Sequence, residues 1–140
     1  MKIKFLMAEE IRPEASGKLT ILGLYPDDSL VLSPREPFPQ GVPPDTPRGM
    51  EKLVFLISIS DAPNKLLKFK VRITDPSGEL YKPEIQVGEG KIKKGSSRSF
   101  IIEVKPFIIN LVGVYVFNFY VNKEIYSFPF EIREQQISKE

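Results

Sequence analysis

The stretch GVYVFNFYVNKEIYSFPFEI, Gly113 to Ile132, decides how the rest of the chain is read. Tyr115, Phe117, Phe119 and Val121 fall on every second position, and so do Tyr126, Phe128, Phe130 and Ile132. A period of two puts each set on one face of a strand. Between the sets lies Asn122-Lys123. Asn tolerates a left-handed backbone, so this pair predicts a tight hairpin.

The same period extends outward. In LLKFKVRITD, Leu67, Phe69, Val71 and Ile73 alternate with Lys68, Lys70, Arg72 and Thr74. In SFIIEVK, Phe100, Ile102 and Val104 share a face. Further strands are predicted at Ile3–Ile11, Lys18–Tyr25, Ser29–Leu32 and Lys52–Ser60, with a short one at Glu84–Gly88 after the turn Asp75-Pro-Ser-Gly78. Gly17 and Asp27-Asp28 supply turn signals. No stretch of ten or more residues shows a helical period. The count is eight or nine short strands, which reads as an antiparallel β-sandwich; an up-and-down barrel is the competing architecture. Pro129 lacks an amide donor, which predicts that the last strand is an edge.

The chain has 140 residues, enough for one domain with a full core. Apolar residues make up 41% and charged residues 27%, the balance of a globular protein and not of a disordered one. The domain is expected over residues 1–133, with a frayed tail at 134–140. Cysteine is absent, which excludes disulfides, zinc ribbons and thiol chemistry. Histidine is absent too, so no Ser-His-Asp triad can be built and the commonest metal ligand is missing. No cofactor, metal or catalytic residue is expected. Neighbours Glu9 and Glu10 point to opposite faces of a strand and cannot share a substrate. The N-terminus does not read as a signal peptide, and no run approaches the roughly 18 apolar residues of a membrane span. A cytoplasmic protein is the expectation.

Gly113-Val-Tyr115 resembles the tyrosine corner of immunoglobulin-like sandwiches, in which the phenol bonds back to the chain upstream. An ordinary half-buried tyrosine is the competing reading. Met7-Ala-Glu-Glu10 followed by Ser16-Gly-Lys-Leu-Thr-Ile-Leu-Gly-Leu24 resembles the opening of a bacterial family of small uncharacterised proteins, which pair a first strand with a Gly-Lys-Leu-x-x-x-Gly hairpin arm. The closing Gly-x-Tyr-x-Phe strand and final hairpin match that family as well. The resemblance implies an immunoglobulin-like fold. The family is a domain of unknown function, so no functional residue is carried over.

Three features bear on function. SPREPFPQGVPPDTPRG, residues 33–49, holds six of the 13 prolines. Proline removes a donor, so the segment reads as a stiff inter-strand loop, with partner contact through Phe38 as the alternative. Lys65, Lys68, Lys70 and Arg72 line one strand face, and Lys91, Lys93, Lys94 and Arg98 lie in a following basic segment; together they are candidates for contact with nucleic acid or another polyanion. The net charge is only +2, from 20 basic and 18 acidic residues, and no aromatic is interleaved on the basic face of that strand. Finally, two strands are apolar on both faces. Val54 and Leu56 lie opposite the Leu53/Phe55/Ile57 face, and Val114, Val116 and Tyr120 lie opposite the Tyr115/Phe117/Phe119 face. If these strands are neighbours, their outer residues form an exposed apolar patch for a protein partner or a second copy. Cover by the 33–49 loop or by Phe107–Leu111 is the alternative. The leading expectation is a non-enzymatic protein-contact or assembly module, with polyanion binding second.

Overall fold

A computed structural model describes residues 1–32 and 48–135. Two sheets face each other across one core, and the molecule is an all-β sandwich. The first sheet contains β1 (Lys2–Pro13), β2 (Leu19–Leu24), β5 (Leu53–Ser60) and β8 (Arg98–Val104) in the order β2-β1-β5-β8. The second contains β3 (Ser29–Leu32), β6 (Lys65–Thr74), β7 (Leu80–Ile92), β10 (Gly113–Val121) and β11 (Glu124–Glu134) in the order β3-β11-β10-β6-β7. Every pairing in these two sheets is antiparallel except β3 with β11, which is parallel. The sheets stay separate, so the sandwich is formed and not the competing barrel.

The alternation read from the sequence is what fills the core. Phe5, Met7, Phe55 and Ile57 project from the first sheet, and Phe69, Val71, Tyr115, Phe117, Phe119 and Phe130 from the second, all buried in one cluster. Ring centroids meet across the interface at 4.8 Å for Phe55–Phe117, 5.2 Å for Phe5–Phe117 and 4.8 Å for Phe69–Phe100. Such spacings are those of favourable tilted aromatic pairs.

The predicted hairpin forms. Val121 pairs with Glu124 around Asn122-Lys123, and Asn122 takes a φ of 54°. Asn122 also ties the turn to β6: the Lys68 amide donates to its Oδ1 at 2.9 Å, its own amide donates to the Lys68 carbonyl at 2.9 Å, and its Nδ2 donates to the Leu66 carbonyl at 3.3 Å. Gly113 sits at φ 136°, a conformation that favours glycine, and a Cβ there would press on Pro76 at 3.1 Å.

Four expectations need correction. Two strands of three residues, β4 (Arg48–Met50) and β9 (Phe107–Ile109), pair with each other; they are too short to show a period. The strand expected at Glu84–Gly88 is the middle of the 13-residue β7, which runs to Ile92 and so takes in Lys91. The last strand is not an edge along its whole length, because β3 pairs with it at Glu131–Glu134. Pro129 lies just before that ladder, where no described strand pairs with β11 on the β3 side. The strand also continues past Arg133, and the Gln135 amide donates to the Leu32 carbonyl at 2.8 Å. Most of the proline-rich segment and residues 136–140 lie outside the described residues.

Tyr115 donates its hydroxyl to the Leu111 carbonyl at 2.7 Å while its ring is buried, which is the bond the Gly-x-Tyr reading anticipated. Burial pushes its pKa up. The ionised phenolate is therefore disfavoured in the folded state, so this contribution to stability is complete below about pH 10 and is lost as pH rises through the raised folded value. Tyr115→Phe is expected to lower stability by about 1 kcal/mol at neutral pH, because the carbonyl loses its donor, and to flatten the fall in stability at alkaline pH. Urea denaturation of both proteins between neutral and strongly alkaline pH checks this.

Candidate functional site

The two doubly apolar strands are not neighbours. β5 lies inside the first sheet and β10 inside the second. Their outer residues face opposite sides of the sandwich, so the single patch expected from Val54, Leu56, Val114, Val116 and Tyr120 does not exist. Val54 and Leu56 are buried, in a second small cluster with Ala8 and Ile11 against which Ile101 packs. They are core and not contact surface. Val114 is exposed, and Val116 and Tyr120 are half-buried on the outer face of the five-stranded sheet. Phe38 lies outside the described residues.

The basic residues are divided as well. Register places Arg72 opposite Asn118 and Lys70 opposite Tyr120, so this basic strand and the outer face of β10 form one surface. The Arg72 guanidinium stands 5.5 Å from the Tyr120 ring centroid. An aromatic does accompany the basic strand, supplied by its neighbour; reading one strand at a time conceals it. Lys91 shares this face across the β6–β7 ladder, but Glu89, paired with Lys68, interrupts it. Lys93 and Lys94 occupy the turn after β7. Arg98 belongs to the other sheet, where it lies 4.9 Å from the Phe100 ring.

Two further features were not singled out from the sequence. The first is β2. Among the described residues it pairs with β1 alone and forms one edge of its sheet. Leu19, Ile21, Leu22 and Leu24 are all exposed, and the adjacent Ile21 and Leu22 point to opposite faces. The strand LTILGL carries no charge. Gly23 takes φ 64°, a left-handed conformation that favours glycine, and a Cβ there would fall 2.6 Å from the flexible Glu9 side chain, which would have to move. The signal was present as LTILGL, but period-two reasoning treats a strand apolar on both faces as interior.

The second is a pocket of about 820 Å³ at one end of the sandwich. It forms where the β5–β6 loop, the β7–β8 turn and the β10–β11 hairpin meet. Ala62, Leu67 and Val121 close its floor, and Tyr126 lines one side.

The carboxylates are dispersed. Glu10 is half-buried and held below the usual range by hydrogen bonds from Arg12 at 2.8 Å and Lys52 at 3.3 Å. Asp75 is lowered by bonds from Ser77 and from backbone amides within its own turn. Asp28 is raised by partial burial and by Asp27 beside it. Among the described residues no group of three or more Asp or Glu could hold a metal ion, and no helix is long and apolar enough to cross a membrane.

No protein-family model matches the chain, and no curated protein matches it. Among solved structures, similarity is found to Pseudomonas fluorescens alkylpurine DNA glycosylase AlkC bound to DNA containing an abasic site analog, at 16% identity and a TM-score of 0.47, over 74% of this chain and 27% of that one. A β-glucosidase from Listeria innocua in complex with gluconolactone aligns at 8% identity and a TM-score of 0.39, over 94% of this chain and 16% of that one. The chain thus spans 27% and 16% of the length of these two proteins.

Leu56→Lys is expected to cost several kcal/mol or prevent folding, because it places a charge in a closed apolar cluster. Val116→Lys is expected to change stability by about 1 kcal/mol or less, since Lys can extend from a half-buried outer position to water. Thermal melts of the two variants separate core from surface.

Proposed function

We propose that this chain is a non-enzymatic, cytoplasmic assembly module that pairs with a second copy of itself through β2. One observation carries the reading: an uncharged edge strand with four large apolar side chains exposed on its two faces. Natural sheets blunt their edges with charge, proline, bulges or brevity, and an edge without these devices is a template for strand addition. The other edges have such devices. β7 contains Pro83, Glu89 and Lys91 and a bulged ladder, β8 contains Arg98 and Glu103, and β3 has four residues.

Charge supports the choice of a second copy. An antiparallel pair of identical strands is related by a two-fold axis normal to the sheet, and its contacts are self-complementary. With the axis at Leu22, Lys18 of one copy meets the Pro26–Asp28 turn of the other, where Asp27 and Asp28 lie. The result is one eight-stranded sheet, β8-β5-β1-β2 followed by the same four strands reversed. The Tyr115–Leu111 bond supports an immunoglobulin-like reading of the sandwich. A chain without cysteine suits a reducing compartment.

Light scattering coupled to gel filtration, from about 1 µM to about 1 mM, is expected to show a monomer–dimer equilibrium. Leu22→Lys, on an exposed edge, should leave the melt unchanged and the chain monomeric. A wild-type monomer throughout that range overturns the reading.

A second reading is favoured by the Arg72–Tyr120 contact beside Lys70: this face combines cations with an aromatic platform, as single-strand binders do. It predicts binding to an oligonucleotide that weakens steeply with salt and falls on Tyr120→Ala. No binding at low salt disposes of it.

A further inference from the structure

The end pocket bears on function independently of β2. Its volume of about 820 Å³ lies within the range of small-molecule sites, roughly 300–1,000 Å³. Its floor is apolar: Ala62, Leu67 and Val121 are all buried. Three exposed lysines stand at its rim, each from a different connection: Lys65 where β6 begins, Lys94 in the β7–β8 turn, Lys123 in the hairpin. None of the three ammonium groups has a hydrogen-bond or ion-pair partner among the described residues. The pocket also holds two carboxylates, Asp61 and Glu124. Glu124 accepts the Tyr126 hydroxyl at 2.7 Å, and Asp61 lies 4.0 Å from Lys2. Three lysines against two carboxylates leave net positive charge over an apolar floor.

Three like charges gathered at one rim repel each other, and nothing in the packing of the sandwich requires them to be there. An anion relieves that repulsion, and an apolar body attached to it covers the floor. We propose that this end of the sandwich binds a small amphipathic organic anion. Its carboxylate, or another anionic group, sits among Lys65, Lys94 and Lys123. Its hydrocarbon part lies against Leu67, Val121 and the Tyr126 ring. A flat anionic surface such as a nucleic-acid backbone would not reach this floor, so the site differs in kind from the Tyr120 face.

Octanoate is the probe, and 1-octanol its neutral counterpart of equal chain length. In an amide-resolved NMR titration, octanoate is expected to give saturable shifts centred on Ala62, Leu67, Val121 and Tyr126. Octanol should bind on the order of tenfold more weakly, because it forgoes the charge interaction. The triple variant Lys65→Gln, Lys94→Gln, Lys123→Gln alters only exposed side chains, and its spectrum reports directly on folding. It should lose roughly tenfold for octanoate and nothing for octanol. Equal affinity for the two probes, an unchanged octanoate affinity in the triple variant, shifts centred elsewhere such as β2, or no saturable shift would each overturn the proposal.

Discussion

Phe117 touches both Phe5 and Phe55, at 5.2 and 4.8 Å between ring centroids, and these contacts join the two sheets. Phe55 also meets Phe130, and Phe5 also meets Phe128, so the cluster gathers β1, β5, β10 and β11 in one place. Burying rings of this size is a large apolar contribution, and tilted geometry adds to it. The sheets cannot slide past each other without separating these rings. Strand register follows from that, since a slip of one residue in β10 would turn Phe117 to solvent.

Once the rings fix the two layers, the rest of the surface is determined. Val54 and Leu56 turn away from the rings, yet are buried in a cluster of their own; Val114, Val116 and Tyr120 turn away on the opposite side and stay accessible. β6 lies beside β10, so its basic residues share a face with Tyr120. β2 pairs only with the distal half of β1, from Ala8 to Pro13, and that offset carries its apolar side chains past the main core. The functional surfaces of the molecule are consequences of strand order, which the aromatic packing enforces.

Strand order is also where the sequence stops being informative. Alternation in LLKFKVRITD and GVYVFNFYV reveals two strands with one buried face each, because the period is a local property. The hairpin at Asn122 is legible for the same reason. Nothing local says that β5 and β10 belong to different sheets, so the apolar backs of both strands look like one patch when they are two. β4 and β9 are three residues long and have no period to read. The Tyr120–Arg72 contact and the end pocket are assembled from residues of separate elements, each ordinary alone. LTILGL was legible as a strand but not as an edge, because exposure of both faces depends on where β1 leaves the sheet.

The parallel pairing of β3 with β11 has a consequence for how the chain acquires this form. Ser29 is in register with Glu131, and Arg133 donates to the Ser29 hydroxyl at 3.2 Å, a contact between residues 104 positions apart. Closing so long a loop is entropically costly and rewards the chain only after the intervening strands are in place. On a ribosome, the β1–β2 arm emerges before β3 and can pair at once. β3 must wait, with Leu30 uncovered, until β11 has been made. Between the making of β3 and that of β11 the nascent chain therefore presents one unfinished sheet margin to its surroundings, and β11 conceals it.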